Sequence, residues 1–230
     1  MQTVVLVTGG ASGLGNVIAE HFAALGQQVI LSASTLAKAE AAIAKSPNGH
    51  NMVALKLDIS VEADFHQAVA SIEQQFGRLD VLINNATVTK ATPVLEISAA
   101  DFDWVTQVNQ RGTFQACQII GKYMASKGTG RIVNMASLAG QNGGTATGAH
   151  YAATKGAIVT LTKIFAREFA AQGVTVNAIA LDRWIHPLCT AWCRMKKWHN
   201  SSKTSLLKPW AAWNSLPKPV PYWPVAVQAL

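Results

Sequence analysis

The sequence predicts an α/β protein built on a doubly wound parallel sheet, and three features carry that prediction. Short apolar runs alternate with helix-like stretches from residue 3 to residue 180, the pattern of successive βαβ units. A glycine-rich turn leads straight from the first run into the first helix, as in the first βα turn of such sheets. No apolar run approaches the ~18 residues of a membrane span, so the chain, 230 residues and 50% hydrophobic, is read as one large core.

Six strands are expected, at residues 3–7, 28–32, 51–57, 79–84, 130–135 and 174–180. Most are short and apolar throughout, as strands covered on both faces should be. Helices fill the gaps. Ser98, Ala99, Ala100 and Asp101 have the form of a capping box ahead of Phe102, Trp104 and Val105, so a long helix is expected to start there and run toward Met124. Beyond Ala149, the residues Ile158, Leu161, Phe165 and Phe169 recur at helical spacing and supply one apolar face to lay on the sheet.

The turn is Thr8, Gly9, Gly10, Ala11, Ser12, Gly13, Leu14 and Gly15. A strand that ends in glycines and opens a helix points several backbone N–H groups, and the positive end of the helix dipole, at one spot. An anion such as a pyrophosphate fits there. Taken alone, the spacing GxxxGxG serves plain connection as readily as binding.

Further along, Tyr151 and Lys155 stand four apart in a helical stretch, so they project from one face a turn apart. A nearby cation favours phenolate over phenol and so makes a tyrosine a usable acid or base near neutral pH. Ser137 follows the fifth strand, where ligands of parallel sheets gather, although a turn serine is equally natural there. Asn109 lies inside the long helix, where asparagine is a mediocre helix former. Asn84, Asn85 and Ala86 end the fourth strand with two amides that either satisfy local backbone or line a ligand edge.

Together these motifs resemble the classical short-chain dehydrogenase/reductase family: TGxxxGxG at Thr8 to Gly15, NNA at Asn84 to Ala86, Asn109, Ser137, and YxxxK at Tyr151 to Lys155, in order over about 180 residues. The nearest members are the 3-oxoacyl-carrier-protein reductases. The resemblance implies a Rossmann fold that binds a nicotinamide dinucleotide and moves hydride between it and a small-molecule carbonyl or alcohol. It makes Tyr151 the general acid or base, has Lys155 hold the ribose hydroxyls and lower the tyrosine pKa, has Ser137 orient the substrate oxygen, and has Asn109 position a water. Thr8, Gly9, Ser12, Gly13, Leu14 and Gly15 would line the pyrophosphate; Asp58, Ile59, Asn85 and Ala86 would meet the adenosine half. Thr87 replaces the glycine usual after NNA. Family members assemble as homodimers or homotetramers.

Cofactor choice turns on the end of the second strand, where an acidic residue would hold the 2′-hydroxyl of NAD(H). Here Ser32, Ala33, Ser34 and Thr35 contain no acid, which favours NADP(H), with Ser32 and Ser34 as contacts and NAD(H) as the alternative.

The chain changes character near Ala180. Residues 1–180 carry 12 basic and 11 acidic side chains, whereas residues 181–230 carry 7 and 1, so the net charge of +7 belongs mainly to the end and argues little for nucleic acid. Six of the seven tryptophans and six of the eight prolines also lie there, with weak periodicity. The family pattern of Pro-Gly, a substrate-covering helix and a last strand is missing. A divergent lid and a basic, Trp-rich partner- or membrane-binding tail are two accounts. The third is a frameshift: if the parent gene read GCC CCT GGA CCG CTG GAT, losing one cytosine after its first codon would give GCC CTG GAC CGC TGG AT. That spells Ala180, Leu181, Asp182, Arg183, Trp184 and the start of Ile185, and the absent Pro-Gly reappears in the parent frame. Two regions are therefore expected, a dinucleotide-binding domain over 1–180 and an atypical segment over 181–230.

Cys117, Cys189 and Cys193 form neither a disulfide framework nor a metal-ligand pattern. With no secretory leader pattern, a cytoplasmic location without a membrane or nucleic-acid partner is expected.

Overall fold

The structure is a computed structural model that describes residues 2–144 and 147–181. The expectation for 181–230 therefore lies, apart from Leu181, outside the described residues. Six strands, β1 (Val4–Val7), β2 (Gln28–Ala33), β3 (Met52–Lys56), β4 (Val81–Asn84), β5 (Gly130–Ser137) and β6 (Val174–Leu181), form one parallel sheet in the order β3-β2-β1-β4-β5-β6. The doubly wound prediction is met. The last two strands run one to two residues beyond their apolar stretches because β5 and β6 stay in register from Gly130 opposite Val174 to Ser137 opposite Leu181. A backbone ladder continues wherever a partner continues, whatever the side chains.

Successive strand residues point to opposite faces, and two cores result. Val4, Leu6, Ile30, Leu82 and Ile132 pack against helix α3 (Glu62–Phe76), the long helix over 99–126 and the helix Ala149–Phe169. Val5, Val7, Val29, Leu31 and Ile83 face the other way, against α1 (Gly13–Ala24) and α2 (Leu36–Ile43). The helices that follow β1 and β4 thus lie on opposite faces, so a crevice opens between the carboxyl ends of these two strands.

The long helix begins as expected, with Ser98 Oγ accepting from Asp101 N at 3.1 Å. It is not uniform. Thr106–Arg111 and Ala116–Ile120 are wound as π-helix between α-helical turns, and Thr113 Oγ1 donates to Asn109 O at 2.7 Å inside the first of these joints. Such wide turns concentrate at functional sites. Among the described residues no helix is long and apolar enough to cross a membrane.

Candidate active site

The glycine turn is fastened to the end of β4. Thr8 Oγ1 accepts from Asn85 N at 2.9 Å and Ala86 N at 3.0 Å, and Asn85 Nδ2 donates back to Thr8 O at 3.0 Å. Asn85 thus serves local backbone, one of its two expected roles. Gly9 has φ +62° and Gly13 φ +53°, a region that side chains rarely enter. At Gly15 a Cβ would stand 2.3 Å from Gly9 O and 2.4 Å from Asn85 Nδ2. The turn is therefore closed to side chains where helix and strand meet. Ser12 caps α1 from an exposed, extended position without a capping bond from its side chain; Leu14 is half-buried against the core.

At the far side of the turn, Ser32 is fully buried, donating through Oγ to Val7 O at 3.2 Å, and its carbonyl accepts from Gly10 N at 2.8 Å. Ser34 is exposed just past β2. Asp58 lies two residues beyond β3 rather than at its end. Its Oδ1 accepts from Ser60 N and Oγ at 2.9 and 2.7 Å, while Ile59 joins the core. Ala86 is half-buried, its Cα 3.0 Å from where a Cβ on Gly9 would lie.

The second cluster gathers on the helix Ala149–Phe169. Lys155 is 3% exposed, and its Nζ donates to Met135 O at 2.5 Å while standing 5.4 Å from the centre of the Tyr151 ring. Burial strips water from the ammonium and pushes its pKa down to about 8. Ser137 is the last residue of β5, two beyond that carbonyl; its Oγ accepts from Ala139 N at 3.2 Å and donates to Leu181 O at 3.4 Å. The turn after Ser137 presses on the same helix, because a Cβ on Gly140 would come within 2.5 Å of Gly156 N. Asn109 is fully buried. Its Oδ1 accepts from Val88 N and its Nδ2 donates to Val88 O, both at 2.8 Å, and Nδ2 also reaches Thr154 Oγ1 at 3.3 Å.

Asn84 was noted within its motif, but Asn134, His150, Thr154 and Thr162 escaped the sequence reading. Asn84 points the opposite way from Asn85, into a buried line in which it donates to Asn134 Oδ1 at 2.8 Å and Asn134 Nδ2 donates to Thr162 Oγ1 at 2.9 Å. Cys117 borders that line, and burial pushes its thiol up to about 12. His150, beside Tyr151, is fully buried with both ring nitrogens unpaired. Only Thr154 had a legible signal, its place inside YxxxK.

Comparison with known proteins decides the lineage of this architecture. The short chain dehydrogenase family model matches residues 3–183. The chain belongs to the short-chain dehydrogenases. It is 35% identical over 179 residues to a 3-oxoacyl-[acyl-carrier-protein] reductase of Synechocystis, covering 77% of this chain and 72% of that protein. It is 37% identical over 182 residues to a levodione reductase of Leifsonia aquatica, covering 77% and 67%. Among solved structures, the short-chain dehydrogenase fold recurs in ElxO with NADP bound, at TM-score 0.75 and 32% identity over 79% of this chain and 74% of that one. The site residues expected from the family motifs all fall within the matched span.

Proposed function

We propose that this short-chain dehydrogenase reduces a carbonyl, or oxidises the corresponding alcohol, with NADP(H), and that Tyr151 carries the proton. The observation that carries the reading is the buried Lys155 ammonium, tied to Met135 O and set beside the Tyr151 ring. At neutral pH a lysine whose pKa is about 8 remains mostly charged, and its field favours phenolate. Tyr151 can then give a proton to a developing alkoxide or take one from an alcohol.

The residues fit a dinucleotide. Gly9 and Gly15 let the turn pack closely against Ala86 and Asn85 where a Cβ would collide, and α1 begins there with the positive end of its dipole, a place for a pyrophosphate. Thr8, Ser12, Gly13 and Leu14 would border the pyrophosphate, and Asp58, Ile59, Asn85 and Ala86 the adenosine. The exposed Ser34, with no acid at the end of β2, supports NADP(H) over NAD(H). The bound nicotinamide supplies the hydride. Ser137 would hold the substrate oxygen, and Asn109, which holds both backbone groups of Val88, would position a water in the proton transfer. The name of one relative, the 3-oxoacyl-[acyl-carrier-protein] reductase, suggests a 3-oxoacyl thioester as the substrate class, and we extend to this chain a homodimeric or homotetrameric assembly and a cytoplasmic location.

The test is a titration with NADPH followed by fluorescence, then the oxidation of NADPH with a 3-oxoacyl thioester. Binding together with turnover that Tyr151→Phe lowers at least ~100-fold is expected; turnover unchanged in that variant overturns the role of Tyr151.

A second reading has its own support. The family match stops at residue 183, where the composition changes. A frameshifted 181–230 would leave a protein that binds the nucleotide with little turnover. NADPH binding without carbonyl-dependent oxidation is its signature.

A further inference from the structure

We propose that Thr154 is a positioning residue that sets the distance between Tyr151 and Lys155 by tying their helix to Asn109. This rests on the oxidoreductase reading above. Thr154 is 1% exposed, and its hydroxyl has two partners of different kinds. Its proton is donated to Tyr151 O at 2.8 Å, so the oxygen faces Asn109 Nδ2, 3.3 Å away, as an acceptor only. Asn109 in turn holds both the N–H and the carbonyl of Val88. A continuous line therefore runs from the loop after β4, through the π-wound joint of the long helix, to the backbone of Tyr151.

The geometry makes Thr154 the contact that joins these pieces. Without its oxygen, a buried N–H of Asn109 loses an acceptor, which a buried donor tolerates poorly. The first turn of the helix can then shift relative to Asn109, while Gly140 against Gly156 still holds the helix just beyond Lys155. Lys155 is anchored separately, through Nζ, to Met135 O on β5. A shift therefore changes the separation of Tyr151 from Lys155 instead of moving both together. Because the attraction between ammonium and phenolate falls with distance, a wider gap raises the pKa of the phenol.

The experiment uses the full chain with tyrosines labelled at 13Cζ, of which there are three, the Tyr151 signal being assigned with Tyr151→Phe. Thr154→Val keeps the shape and deletes the hydroxyl, with Thr154→Ala as the deletion if the valine variant does not fold. Thr154→Ser keeps the hydroxyl. In the deletion the titration midpoint of Tyr151 is expected to rise by roughly 0.3–0.5 pH unit, with Tyr123 unmoved, and serine restores it. Where turnover is measurable, kcat falls about 3–10-fold with KM unchanged, the loss of one hydrogen bond. An unmoved Tyr151 midpoint, or a serine variant that behaves like the deletion, overturns the proposal. NADPH that fails to bind the unaltered chain counts against the oxidoreductase reading, while the tyrosine titration still reports on Thr154.

Discussion

A lysine out of water beside a phenol is useful chemistry and poor packing. Burial holds the Lys155 pKa at about 8, whereas the unfolded chain keeps that proton until near 10.4. Between those values the unfolded state binds more protons, so stability rises with pH across that window. Below about pH 8 the cost of burying the charge is present in full. Replacing the ammonium in Lys155→Met should therefore stabilise the fold at pH 7 by about 1–3 kcal/mol, the gap closing toward pH 10, while removing turnover. Urea unfolding at the two pH values checks it, and a variant less stable than the parent at pH 7 refutes it. Gly15 is the opposite case. Gly15→Ala must displace Gly9 O or Asn85 Nδ2, so a loss of about 2 kcal/mol or more and at least tenfold weaker NADPH binding are expected, read by thermal melting and fluorescence titration. Normal binding in a folded Gly15→Ala protein would show that the turn does not cradle the nucleotide.

At the scale of elements, start signals and periodicity serve well where a local rule decides the structure. Ser98 is one such place: Ser98→Ala removes the bond from Asp101 N and should cost about 1 kcal/mol in urea unfolding, without altering NADPH affinity. The six strands were legible for a similar reason, since a strand buried on both faces can be little other than an apolar run. The polar interior was not legible. Asn84 and Asn134 sit in strands, where nothing in their own neighbourhood tells a surface amide from one paired across the sheet. Asn84 and Asn85 separate because adjacent strand residues face opposite ways. Ser32, expected at the cofactor, lies at the same kind of boundary: its hydroxyl turns down the sheet to Val7 O, while Ser34, just past the strand, is exposed. The motif residues Asn109, Tyr151 and Lys155 were found, but the side chain that joins them, Thr154, is defined by a contact between helices 45 residues apart in sequence.

The whole molecule places its two tasks on different parts of the sheet. The glycine turn, Thr8 and Asn85 draw their support from β1 and β4 at the centre. Ser137 draws its support from β5 and β6 at the edge, through Leu181 O, the last described residue. Among the described residues β6 pairs only with β5. On the proposed reading, a change after Leu181 is therefore expected to affect substrate more than nucleotide. If 181–230 is frameshifted, as we propose, one cytosine restored to the coding sequence after the codon of Ala180 should return Pro-Gly and an open frame through a lid and a further strand. The repaired protein should then bind NADPH within about threefold of the present chain, yet reduce a 3-oxoacyl thioester about 100-fold faster, because a covering segment positions substrate and excludes water. Sequencing the coding DNA and comparing the two proteins side by side tests both halves. An alternative frame broken by stops, or a present chain that already turns over as fast as the repaired one, would return 181–230 to the status of a working part of the enzyme.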